Sequence, residues 1–327
     1  MATGLKKWFL GKLRTATGTQ AILERLAAMP AGTNGNGHAQ RLLLNNMTVL
    51  DGTPYCRYLL PLDYTPSRDF RPRWGYGRPS HAGLRAMFQE HNDDYREVIA
   101  GIRRLAPFLS AIPREFQHNS PEPGWLGGAI NALDLAVLYY FVEHHRPKTY
   151  LEIGSGLTTL FARRAIRDHK LPTRVVSIDP EPRSSIDAVC DQVVRDGMET
   201  VDPAIFARLE PGDIVFMDGS HRCFMNSDVT VFMLDVMPLL KPGVIVHVHD
   251  ILLPDDYPDS FKNWYWNEQY LLAVYLLAAK QRIRTLMPVA FVSSDPELQP
   301  LLSPPILDFG PQNPYIQTGG SFWFTHV

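Results

Sequence analysis

From residue 125 onward the sequence alternates short apolar runs with helix-length amphipathic segments, the pattern of a parallel sheet covered by helices. Strands are predicted at residues 149–153, 174–178, 192–194, 213–217 and 244–248, with helices near 131–145, 158–168, 185–190, 203–209 and 228–239. Arg146-Pro147-Lys148 stops the first of these helices, because proline has no N–H with which to continue the ladder. A further helix at about 267–280 leads into apolar segments at 282–286 and 288–292. The closing Ser321-Phe322-Trp323-Phe324-Thr325-His326-Val327 reads as an aromatic strand. The spacing predicts a doubly wound α/β sheet.

The first third is patterned differently. Leu5, Trp8, Phe9, Leu13, Ile22, Leu23 and Leu26 fall at roughly helical spacing with Lys6, Lys7, Lys12 and Arg14 between them, so residues 1–29 are expected to form a basic amphipathic helix. Its apolar stripe suits packing on its own domain or on a second copy, making a homo-oligomer, and its basic face suits weak membrane-surface association through residues 5–26. The apolar run is too short for a secretion signal. Residues 30–40, with Gly32, Asn34, Gly35, Asn36 and Gly37, read as a flexible linker. Residues 41–124 are proline-punctuated and aromatic, interrupted by one helix at about 81–109, and are expected to form a cap that serves substrate binding or oligomerisation. Residues 125–327 are expected to form the catalytic unit.

The segment Tyr150-Leu151-Glu152-Ile153-Gly154-Ser155-Gly156-Leu157-Thr158-Thr159 runs from a strand through a glycine-rich turn into a helix, where open α/β sheets bind ligands. Gly154 and Gly156 let a ligand approach the backbone, with Ser155 between them, and the helix start offers unpaired N–H groups. A dinucleotide fingerprint calls for Gly or Ala where Thr159 stands, and Glu152 disfavours a pyrophosphate while favouring a cation such as the sulfonium and ammonium of S-adenosylmethionine. Asp179, ending the second strand, is placed to accept ribose hydroxyls; its structural alternative is a helix cap.

A second cluster lies at the same edge. The fourth strand ends in Asp218-Gly219-Ser220-His221, and the fifth carries His247-Val248-His249-Asp250. Adjacent strands lie about 4.8 Å apart, so Asp218 and Asp250, with His249, could hold Mg²⁺ or another divalent metal. His221 suits a general base, with Asp218 beside it in the catalytic set, whereas His247 is expected to be buried beside the core.

Taken together, the glycine loop with Glu152, Gly154 and Gly156, the acid Asp179 and the aromatic last strand resemble the class I S-adenosylmethionine-dependent methyltransferases. Asp218-x-x-His221 and the His249-Asp250 pair are similar to a branch containing macrolide-sugar O-methyltransferases and cephalosporin hydroxylase-related proteins. The resemblance implies a Rossmann-like seven-stranded sheet, mostly parallel with the last strand antiparallel. It implies Glu152, Gly154, Ser155, Gly156, Asp179 and Asp218 around the cofactor, Asp218 and Asp250 as metal ligands, and His221 as base. Those relatives place a glutamate where this chain has His249, which leaves open a softer ion or no metal. Asp196 and Met198 are the candidates for the adenine contact. The function implied is O-methylation of a hydroxyl on a small molecule, natural product or sugar. The alternatives are a metal-dependent hydroxylase-like enzyme on the same fold and a non-catalytic cofactor-binding or assembly module.

Charge and composition narrow the partners. Lys+Arg 32 against Asp+Glu 34 leaves a formal charge of -2, which disfavours a nucleic-acid binder and suits a small-molecule or glycan acceptor. Three scattered cysteines fit neither a disulfide framework nor a cysteine-based zinc site, pointing to the cytoplasm. No uninterrupted apolar run reaches the roughly 18 residues of a membrane span.

Overall fold

The structure is a computed structural model of the 327-residue chain, describing residues 71–117, 120–182, 186–262, 264–303 and 318–327. The expected basic helix, the linker and the first part of the cap lie outside the described residues. Arg71–Val327 forms one compact unit.

Seven strands make its sheet: β1 Thr149–Ile153, β2 Arg174–Ile178, β3 Gln192–Val194, β4 Ile214–Met217, β5 Ile245–Val248, β6 Ile283–Pro288 and β7 Phe322–His326. Their order is β3-β2-β1-β4-β5-β7-β6, with β1 to β5 parallel and β7 antiparallel to both β5 and β6. This is the mostly parallel methyltransferase-type sheet that the resemblance implies. β1 to β5 read as nearly continuous Val, Ile, Leu and Phe because helices cover both faces.

Hydrogen bonds just beyond the strand ends align the loops that leave them. The N–H groups of Gly154, Asp179, Asp218 and His249 donate to Ile178, Val194, Ile153 and Met217 respectively, at 3.0 to 3.1 Å. One row of strand ends therefore delivers the glycine loop, Asp179, Asp218 and His249 to a single sheet edge.

The single helix expected at 81–109 is three: α1 Ala82–Gln89, α2 Asn92–Arg104 and α3 Ala106–Leu109. Phe88 and Tyr95 stay in phase seven residues apart, so the period alone does not expose the break. The two longer helices meet different partners. α2 packs on helix α4, Ala132–His145, whereas α1 packs on a later helix, Glu268–Ala279. The Phe88 ring lies 5.7 Å from Phe291 and 5.4 Å from Phe322, and Trp125 is 3% exposed with its indole N–H on the Leu109 carbonyl. Residues 82–125 thus share the core of the sheet.

α4 is buried on every side from Ala132 to Val142, as its near-continuous apolar sequence requires, and ends at Arg146 in the left-handed conformation before Pro147. Helix α5, Leu157–Asp168, comes directly after the glycine loop. The helix expected at 185–190 is one 3₁₀ turn, Asp187–Val189, and that at 203–209 shortens to α6, Ala204–Ala207. α7, Asp228–Val231, continues through a π turn and a 3₁₀ turn to Leu239. Glu268–Ala279 is α8, and the apolar segment after Pro288 is helical, α9 Val289–Ser294.

β7 brings Trp323 beside β5. Phe216, His247, Trp323, Phe141 and His145 stack in sequence with ring centroids 4.1, 3.8, 4.5 and 5.2 Å apart. No helix among the described residues is long and apolar enough to cross a membrane.

Candidate active site

The glycine loop is shaped by two different demands. Gly154 has φ +79, and a β-carbon on it would lie 1.9 Å from the Asp218 carbonyl oxygen. Only glycine lets the loop cross the end of β4 there. Gly156 is extended, and nothing lies within 4 Å of where its β-carbon would be, so it leaves open space at the start of α5. The Ser155 N–H donates to Asp179 Oδ2 at 2.8 Å, and the Ser155 and Ser177 hydroxyls lie 2.7 Å apart. Asp179 Oδ1 accepts the Glu181 N–H at 2.8 Å, so each carboxylate oxygen holds one backbone donor and keeps a lone pair for another. Arg195 donates to the Asp179 carbonyl and pairs with Asp187. Pro182, Asp187, Ala188 and Arg195 line an open groove beside the ends of β2 and β3. Of the adenine candidates, Met198 is buried and Asp196 exposed.

Glu152 is fully buried beneath this loop and accepts from the Thr158 hydroxyl, while its Oε2 has no hydrogen-bond partner. Burial pushes its carboxyl up to about 8 despite the hydrogen bond from Thr158. A neighbouring cation would favour the ionised form and satisfy that orphaned oxygen.

The second half of the site joins the ends of β4 and β5. His221, at φ 60, and Asp250, at φ 56, are both left-handed, a conformation that non-glycine residues rarely adopt and that clusters at functional sites. His221 Nε2 lies 3.5 Å from Asp218 Oδ1 and 3.4 Å from Asp250 Oδ2, and its Nδ1 is 3.0 Å from Glu268 Oε2. The Trp266 ring covers the imidazole at 4.1 Å. Burial pulls the His221 pKa down, but Glu268, then Asp218 and Asp250, outweigh it and hold it above the ordinary value. Burial raises the Glu268 carboxyl even against its bond to His221.

His249 is buried with Nε2 3.4 Å from Asp134 Oδ2 and Nδ1 3.7 and 3.6 Å from Asp218 Oδ1 and Asp250 Oδ2. Burial opposes its charge, yet Asp250, Asp134 and Asp218 together drive its pKa well above the usual value. The Asp250 carboxyl is held low against burial by His249 and His221. Asp134 also accepts the Gly320 and Ser321 N–H groups, each at 2.9 Å. His247 is structural, as expected: it stacks between Phe216 and Trp323, bonds Ser321 Oγ at 2.7 Å, and is kept neutral by burial.

Among the described residues, Asp218, His221 and Asp250 form a group whose ligand atoms all lie within 4.8 Å of one another. Two oxygens and an imidazole nitrogen at that spacing fit a divalent cation. Glu268 and Asp134, which orient the two histidines, were not visible as site residues in the sequence. Glu268 opens α8 like any first-turn acid, and Asp134 does the same in α4. The one signal in the sequence was an isolated acid within an apolar run.

Residues 151–251 of the 327 match the family model described as a methyltransferase domain, a span that runs from β1 through the glycine loop to just past Asp250. That span is similar to a methyltransferase domain, and the sheet around it has the class I methyltransferase fold. Among solved structures it is similar to the O-methyltransferase TomG from Streptomyces achromogenes, involved in tomaymycin synthesis and bound to SAM. Identity is 17%, over 68% of this chain and 94% of that one, with a TM-score of 0.40. It is also similar to the O-methyltransferase from Bacillus cereus bound to SAH, at 17% identity over 71% and 90% of the two chains and a TM-score of 0.38. The SAH-bound methyltransferase PaMTH1 of Podospora anserina shows 16% identity over 59% and 78%, with a TM-score of 0.35. No curated protein matches the chain.

Proposed function

We propose that this protein is an S-adenosylmethionine-dependent O-methyltransferase acting on a hydroxyl of a small molecule, natural product or sugar. The observation that carries the reading is the meeting, at one sheet edge, of the Gly154–Gly156 loop and Asp179 with the Asp218, His221 and Asp250 cluster. S-adenosylmethionine, when bound, supplies a methyl group on an electrophilic sulfonium.

The chain's own residues do the rest. Gly156 leaves room at the start of α5, and Asp179 orients a ribose through its remaining lone pairs. The groove of Pro182, Asp187, Ala188 and Arg195 would hold the adenosine half. Glu152 and Asp218 favour the positive end of the cofactor. Trp266 and Trp264, tilted against each other with centroids 4.6 Å apart, would wall the acceptor side against water. In the metal-free protein His221, oriented by Glu268, takes the proton of the acceptor hydroxyl at Nε2 as the oxygen attacks. Because its pKa is raised, the neutral form grows as pH rises through that raised value, and turnover rises with it.

Calorimetry with S-adenosylhomocysteine tests the cofactor: one site per chain is expected, and no binding to the wild-type protein removes the assignment. A His221→Ala variant that retains full turnover without metal removes His221 as base. A second reading, metal-assisted oxidation on the same fold, is favoured by the two imidazoles beside Asp218 and Asp250. Turnover that requires oxygen and a reductant would select it.

A further inference from the structure

Two loops, one leaving His221 and one leading into α8, carry exposed apolar side chains beside the site. We propose that residues 222–225 and 264–266 form an apolar ledge for the part of the acceptor that lies outside the pocket, so that the acceptor is an uncharged amphiphile, a hydroxyl-bearing head continued by an alkyl or polycyclic body. This names the acceptor class of the proposed methyltransferase and rests on that reading for the reacting hydroxyl, whereas the ledge itself does not depend on it.

Continuity with His221 argues first. The Trp266 ring covers the imidazole at 4.1 Å, Trp264 lies 4.6 Å from Trp266, and Phe261 lies 4.1 Å from Trp264. The apolar surface therefore begins at the proposed base. Tyr265, between the two tryptophans in sequence, is 40% exposed, and on the other loop Phe224 is 42% and Met225 98% exposed. A lone exposed apolar side chain is ordinary, but three on two joined loops beside a site mark a binding surface.

Order in the loops argues second. Arg222 Nε donates to the Trp264 carbonyl at 3.0 Å, the Cys223 N–H to Asn267 Oδ1 at 2.6 Å, and the Asn267 N–H to the His221 carbonyl at 3.0 Å, which ties the two loops into one piece. The Ser220 N–H and hydroxyl donate to the two Asp228 carboxylate oxygens, each at 2.6 Å, and close the first loop on itself. At its tip the Ser227 N–H donates to the Phe224 carbonyl at 3.2 Å and the Ser227 hydroxyl accepts the Phe224 N–H at 3.1 Å, around a left-handed Asn226. A turn built this way holds Met225 out in water, and apolar area kept in water carries a free-energy cost that a bound apolar body would relieve.

Charge argues third. Arg222 is the one charged residue among 222–227 and 264–267, and its Nε and Nη1 donate to the Trp264 and Ser220 carbonyls at 3.0 and 2.9 Å. With those donors used inside the protein and no acid on the ledge, the surface suits a neutral body better than an ionic one, whose desolvation nothing there would offset. Length follows from the chain. Four residues carry the backbone from His221 to Met225, a span of at most about 14 Å that an alkyl chain of roughly ten carbons covers.

Calorimetry of n-hexyl, n-octyl and n-decyl β-D-glucoside, each below its micelle threshold, with full-length protein in the presence and absence of S-adenosylhomocysteine tests this. Affinity should rise about two- to fourfold for each added methylene up to the decyl chain. Met225→Ser and Phe224→Ser should each lower the decyl glucoside affinity by about five- to tenfold, while S-adenosylhomocysteine binds as in the wild type and shows the fold intact. Leu301→Ser, which removes an exposed apolar side chain from the turn against α2 and α9, should change neither affinity. Failure of every glucoside to bind, affinity independent of chain length, or affinity unaltered in both Met225→Ser and Phe224→Ser overturns the proposal. It is also overturned if Met225→Ser leaves the decyl affinity intact but breaks up a self-associated wild-type protein in sedimentation, or abolishes its cosedimentation with phosphatidylcholine vesicles, because the ledge then serves a second copy or a membrane. Chain-length-dependent binding by protein that takes up no S-adenosylhomocysteine would leave the ledge standing and remove the methyl-transfer reading.

Discussion

The two halves of the sheet edge are built on opposite principles. At the ends of β1 and β2 the shape is made by backbone: a glycine that must cross Asp218, an open glycine after it, and Asp179 tied to two N–H groups. At the ends of β4 and β5 it is made by buried charge, with Glu268 and Asp134 supporting His221 and His249 against Asp218 and Asp250. The first half depends on which atoms are missing and tolerates little added volume. The second depends on charges that offset one another's desolvation, and tolerates little lost charge.

Gly154→Ala should break the first half most severely. Its β-carbon would collide with backbone at a position already left-handed, so a loss on the order of 5 kcal/mol or failure to accumulate folded protein is expected in denaturant unfolding. Wild-type stability would show that the loop can move off β4. Asp134→Ala is the counterpart on the charged half. It strands two buried N–H groups and the charge on His249, and should cost about 4 kcal/mol.

Asp179→Ala separates binding from stability. Loss of folding free energy should be about 1 kcal/mol, whereas affinity for S-adenosylhomocysteine should fall by about 10 to 100-fold in calorimetry. Equal affinity would mean that Asp179 only ties the loop. The last concerns the pH dependence set by Glu152. Its carboxyl is raised from 4.5 to about 8, so between those pH values the folded protein holds a proton that the unfolded chain has lost. Stability should therefore decline as pH rises through that window, and Glu152→Gln should flatten the decline between about pH 4.5 and about pH 8. Cofactor affinity should rise over the same window, as the carboxyl ionises beside a cation.

The contrast also governs what could be read in the sequence. The glycine loop, Asp179 and the five parallel strands were legible because backbone demands leave local marks: a glycine where φ is positive, an acid at a strand end, apolar runs of strand length. Asp218, His221 and Asp250 were legible from their places after β4 and β5. Glu268 and Asp134 were not, because each begins a helix, where an acid needs no further reason, and each meets its histidine only through the tertiary fold. His249 was expected beside Asp218 and Asp250; what the sequence did not show is that His221 shares the same two carboxylate oxygens, since that depends on side-chain direction at two left-handed positions. The break between α1 and α2 was hidden by a period that continues unchanged across it.

The position of β7 has a consequence for the order in which the chain can become an enzyme. A nascent chain that has emerged through β5 already holds the glycine loop, Asp179, Asp218 and Asp250, yet the open side of β5 has no partner until residues 322–326 arrive. Until then Asp134 lacks both of its backbone donors, and His247 lacks Ser321 and the covering Trp323. The charged half of the edge therefore takes its shape only once β7 is in place, whereas the glycine loop and Asp179 are held by β1, β2 and their own loops.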